Sequence, residues 1–296
     1  MKEKTWCYKF QLPRLGFSGE YFPVEEYRIT DNFLIVQKNP KSEEAIGCIM
    51  ERGDDKKARE IYRRGLKEQY MFNFVAIYNL FTPVPVEFNQ LGYGEINEEK
   101  KMREQLHFIK LTGSVLYTHE QQERAQKEIL QHLEQAKLIW NYFIKLPDNN
   151  LKKNILNALA YYFYAKKAER LEERIVNIIT ALECLFIESN VELGYKLSLR
   201  SSYLISHYIK DDDGKKIFKF TKDMYDIRST IVHQGTSKKE IKTEDVFKLF
   251  GLSTICIRSF LILNKTCTDK QQVINYLEDG LFGKKIELPN LNKLPT

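Results

Sequence analysis

Within Tyr225-Asp226-Ile227-Arg228-Ser229-Thr230-Ile231-Val232-His233-Gln234-Gly235, an arginine and a histidine stand five positions apart at the end of an amphipathic pattern, just before a glycine. A guanidinium grips phosphate through two parallel N–H donors, and an imidazole gains or loses a proton near neutral pH. The two residue types together can hold a phosphodiester and move a proton on it. No other stretch of the chain looks so much like chemistry.

The element that must position them is a helix over residues 212–233. Ile217, Phe220, Met224, Ile227 and Ile231 recur at three- and four-residue steps and so share one face. Arg228 falls at the edge of that apolar stripe, away from Lys215, Lys219 and Lys222. A desolvated cation there requires a partner. His233 sits in the last turn, where the helix dipole favours imidazolium, with Gly235 to turn the chain away. Five residues along a regular helix rotate by about 140°, so Arg228 and His233 leave it in different directions. Either the helix unwinds before His233, or the site combines residues of two protomers across a two-fold axis.

A possible counter-ion lies on a helix predicted over residues 171–187. Ile175, Ile178, Ile179, Leu182, Leu185 and Phe186 form its core stripe, and Glu183 sits at the margin. Glu183 is either a solvated acid at the rim, the partner of Arg200 on the next helix, or the partner of Arg228. Arg200, within residues 195–202, carries the same ambiguity.

A chain of 296 residues makes one large or two ordinary domains. Lys plus Arg at 46 against Asp plus Glu at 40 gives a net charge of +6, which permits an anionic partner without demonstrating one. Cys7, Cys48, Cys184, Cys256 and Cys267 are odd in number, with no CxxC pair, so reduced thiols in a cytoplasmic protein are expected, not a disulfide or metal framework. The N-terminus lacks an apolar signal core, and no uninterrupted apolar run reads as a membrane span. No cofactor motif stands out. Gly113-Ser114 lacks the paired aspartates of a nucleotidyltransferase, His107 has no second ligand at metal spacing, and Gly92-Tyr93-Gly94 reads as a turn, not a phosphate loop.

The elements predict an α+β chain: a mixed strand/helix N-terminal domain over residues 1–119, an all-α up-and-down bundle over 120–283, and a polar tail over 284–296. Strands are expected at 6–12, 24–29 and 33–36, the last two joined by Thr30-Asp31-Asn32. An exposed helix is expected at 54–68, a core strand at 71–80, and an extended edge at 82–86 where two prolines bar a central strand. His119 begins the helical half. Helices follow at 121–145, 151–165, 171–187, 193–209, 212–233, 243–263 and 269–281, with short links that imply a bundle.

The run Ala181-Leu182-Glu183 with Leu185-Phe186, then residues 193–200, then Tyr225-Asp226-Ile227-Arg228-Ser229 and Ile231-Val232-His233 resembles the Apea-like group of the HEPN superfamily. The likeness covers residues 120–280. It implies a metal-independent endoribonuclease acting as a homodimer, with catalytic Arg228 and His233, and Ser229 at the polar position after the arginine, where Asn or Asp is commoner. Glu183, Arg200 and Asp226 would support the site. The resemblance also implies RNA as substrate and a toxin or anti-phage role, with an antitoxin as a possible partner. Other members of the superfamily bind RNA or nucleotides without cutting, so a non-catalytic module is the alternative.

Overall fold

In a computed structural model the described residues are 4–12, 26–37, 45–82, 86, 88–95, 119–209, 214–237 and 239–291. The chain is α+β and divides into two compact units, Met1–Asn141 and Tyr142–Thr296.

The first unit contains β1 (Lys4–Leu12), β2 (Glu26–Thr30), β3 (Phe33–Gln37), β4 (Ala45–Gly53), α1 (Asp55–Arg63), α2 (Leu66–Tyr78), β5 (Asn89–Glu95) and most of α3 (His119–Phe143). The strands form one antiparallel sheet in the order β2-β3-β4-β1-β5. Period-two alternation sends Tyr8, Phe10 and Leu12 of β1 to one buried face. Helix α2 approaches the sheet so closely at Gly47 that a Cβ there would stand 2.5 Å from Met71 Cε. Phe74 meets Phe33 edge-on at 4.8 Å and Trp140 of α3 at 5.7 Å.

Three readings of the sequence change in this unit. The pattern at 71–80 predicts a core strand, but Met71 to Tyr78 belong to helix α2. A short run apolar on every side has no periodicity to separate the two states, and the left-handed Gly65 (φ 62°) breaks the chain so that a second helix begins. Gly92-Tyr93-Gly94 lies within strand β5, where Tyr93 pairs with Tyr8, so it is not a turn. The packing boundary falls at Asn141 instead of residue 119, because α3 packs within the first unit, Trp140 against Phe74 and Glu134 accepting from the Tyr27 hydroxyl. His119 does start α3. His107, Gly113, Ser114 and residues 83–85 lie outside the described residues.

The second unit contains α4 (Asn150–Lys167), α5 (Leu171–Phe186), α6 (Leu193–Ser206), α7 (Gly214–Gln234), α8 (Thr243–Leu263) and α9 (Lys270–Leu281). Side-chain caps fix two of the starts: Asn149 accepts from Lys152 N at 2.8 Å and Asp269 from Gln272 N at 2.9 Å. Helix α5 is the axis of the unit, packing on α4, α6, α7, α8 and α9. Helix α8 is long and apolar enough on average to cross a membrane, but Lys248 and Arg258 interrupt its apolar run, and 67% of its apolar window is buried inside the protein as a core helix would be. The cysteines all carry free thiols.

Candidate functional site

Helix α7 presents Ile217, Met224 and Ile227 to the core, as the period requires. It continues without a break to Gln234, and Gly235 then takes a φ of 80° with its N–H bonded to Ile231 O at 2.8 Å. The chain therefore does not unwind before His233. Arg228 stays half-buried at the edge of the apolar stripe, while His233 is exposed on the lysine-bearing side.

Arg228 finds its partner on α5. Its Nη2 donates to Glu183 Oε2 at 2.9 Å, and the two side chains are 21% and 18% exposed. Its guanidinium lies 6.0 Å from the centre of the Tyr225 ring. Burial, followed by the neighbouring Glu183 charge, pushes the Tyr225 phenol up from its ordinary range. Tyr225 itself is seated against Gly194 at the start of α6, where a Cβ would stand 2.6 Å from its Cδ1. The ring, the carboxylate and the guanidinium form one packed group. Arg228 Nε is buried and donates to no atom among the described residues. Such an orphan donor is costly, and a ligand oxygen would relieve it.

Arg200 plays a different part. Only 5% of its side chain is exposed; Nη1 donates to Phe186 O at 2.6 Å and to Glu188 Oε2 at 2.5 Å, Nη2 to Glu188 Oε1 at 3.0 Å and Glu278 Oε1 at 2.6 Å, and Nε to Glu278 Oε1 at 3.1 Å. Every nitrogen is occupied in clamping α6 to the end of α5 and to α9. The open choice for Glu183 is thereby settled in favour of Arg228. Asp226 is exposed and pairs with Lys222 at 2.5 Å, so it is not brought to the Arg228 group; Ser229 follows Arg228 half-buried on the same helix. The sequence reading assigned no role to Tyr225 or Gly194, although Tyr225 stands three residues before Arg228, one turn away on the helix.

Burial raises the Glu183 carboxyl above its ordinary 4.5, and the neighbouring Arg228 charge opposes this with a smaller effect. The folded value is the higher one. Ionised Glu183 therefore subtracts from stability above that value, and the cost is absent below 4.5. Removing Arg228 deletes an influence that lowers the value. In Arg228→Ala the Glu183 carboxyl is expected to titrate at still higher pH than in the parent, as read from its carboxyl carbon resonance; a downward move would mean that the pair is not formed in solution.

Comparison with family models, with curated proteins and with solved structures finds no significant match for this chain.

Proposed function

We propose that this chain is a metal-independent endoribonuclease of the HEPN type that works as a homodimer, with a toxin or anti-phage effector as the biological setting. The observation that carries the reading is the half-occupied guanidinium of Arg228, held and oriented by Glu183 and Tyr225 yet with Nε free of any partner among the described residues. RNA supplies its own nucleophile. The 2'-OH attacks the adjacent phosphorus as His233 removes its proton, Arg228 neutralises the phosphorane oxygens, and the P–O5' bond breaks as the 5'-oxygen takes the proton back from His233, to give 2',3'-cyclic phosphate and 5'-hydroxyl ends.

An unbroken helix favours completion of the site by a second copy, because Arg228 and His233 diverge by about 140° on one protomer. Val232, one turn beyond Arg228 and 52% exposed, is an apolar residue that such a seam would cover. Light scattering at micromolar concentration is expected to give a dimer. The Arg228–Glu183 pair also favours a second reading, a non-catalytic HEPN-like module that binds RNA or nucleotides, since a carboxylate already engages the arginine.

Purified protein with mixed RNA in EDTA separates the two. Under the ribonuclease reading, cleavage persists, leaves cyclic phosphate ends, and falls by about 100-fold or more in both Arg228→Ala and His233→Ala. RNA left intact by the parent protein would favour the binding module.

A further inference from the structure

The outer face of α7 has a pattern that the Arg228 group does not use. Helical geometry places Lys215, Phe218, Lys219, Lys222, Asp226, Ser229 and His233 in one sector about 100° wide, running about 27 Å along the axis, with Asp226 its one acid. The helix carries four lysines against two aspartates. Both acids are occupied by lysines: Asp226 by Lys222 at 2.5 Å and Asp223 by Lys239 at 3.4 Å. Lys215 and Lys219 are exposed. On the flank of this stripe, Tyr195 of α6 meets Phe218 edge-on at 5.7 Å and is 51% exposed. Cations along a line with an open aromatic face beside them are what a flexible, unpaired nucleic acid needs: phosphates follow the charges, and a base stacks on the ring. A duplex keeps its bases stacked on one another and leaves the aromatic unused.

We infer that the outer face of α7 is a single-stranded RNA track, with Lys215 and Lys219 on the phosphates and Tyr195 stacking a base, that leads the strand towards His233. The assignment deepens the ribonuclease reading and rests on it only for the step at the end of the track. Lys215, Lys219 and Tyr195 act in holding the strand, while His233 and Arg228 act on the bond.

The probe is a short fluorescent 2'-O-methyl oligouridylate, which lacks the attacking hydroxyl, so that binding to the full chain is read by anisotropy with no cleavage. Lys215→Glu with Lys219→Glu is expected to raise Kd by roughly tenfold or more and to flatten the salt dependence by about 0.7 in log–log slope for each phosphate no longer neutralised. Tyr195→Ala is expected to raise Kd roughly tenfold with the salt slope unchanged. The same charge reversal at Lys56 and Arg63, exposed on α1, changes the net charge equally and should leave Kd within about twofold. Absence of binding by the parent chain, an unchanged Kd in the α7 variant, an equal loss in the α1 control, or displacement by polyglutamate as readily as by oligouridylate would overturn the track. Binding as expected with unmodified RNA left intact in EDTA would sink the nuclease reading and keep the track, whereas cleavage with an unchanged Kd in the α7 variant would do the reverse.

Discussion

Arg200→Met is expected to destabilise the second unit by about 2–4 kcal/mol, against about 1 kcal/mol for Arg228→Met. Both changes keep the apolar stem and delete one cation. At Arg200 the deletion strands the Phe186 carbonyl and removes the shared partner of Glu188 and Glu278, with a side chain only 5% exposed. Arg200 is also what chiefly holds the Glu188 carboxyl below its ordinary range. Stability from Glu188 is therefore present above 4.5 and lost as the pH falls through the lowered folded value. At Arg228 a single ion pair is removed, and the carboxylate left behind already has a raised pKa, so it can take up a proton instead of remaining charged. Urea denaturation followed by far-ultraviolet circular dichroism checks the contrast. Equal costs at the two positions would mean that Arg228 is as structural as Arg200, and would weaken its assignment to phosphate.

Phe74→Ala is expected to cost the first unit about 3–5 kcal/mol. The ring is fully buried, with edge-on contacts to Phe33 at 4.8 Å and Trp140 at 5.7 Å and a stacked contact to Tyr78 at 6.5 Å. Truncation empties the space between the sheet and α3, and rigid aromatic neighbours cannot collapse to fill it. The two tryptophans, Trp6 and Trp140, both belong to the first unit. Tryptophan fluorescence thus reports on this unit directly, and its urea midpoint should fall in Phe74→Ala while Arg200→Met leaves it in place. A fluorescence midpoint that moves equally in both variants would mean that the two units unfold as one block.

The sequence alone determined the features that depend on neighbours in the chain. Apolar residues three and four apart defined the helices from α3 onward within a few residues, because one period and its capping residues suffice to state a helix. The β2–β3 hairpin was legible for the same reason, with turn-forming Asp31 and Asn32 between two β-prone runs. Arg228 and His233 stood out by spacing alone, and so did the angle of about 140° between them.

The tertiary structure decided what depends on partners distant in sequence. Strands β4 and β5 went unread, since a strand containing Gly47 or Gly92 and Gly94 becomes one only by pairing, β4 with β1 and β3 and β5 with β1. Helix α2 took its state from the sheet it covers. Above all, Arg200 and Arg228 look alike along the chain, each on the edge of an amphipathic helix, and packing alone separates them. The first meets Glu278, seventy-eight residues away, and has every nitrogen engaged; the second meets Glu183 across forty-five residues and keeps one donor open. Charge partners are chosen by where helices meet, and a one-dimensional pattern carries no information about that choice.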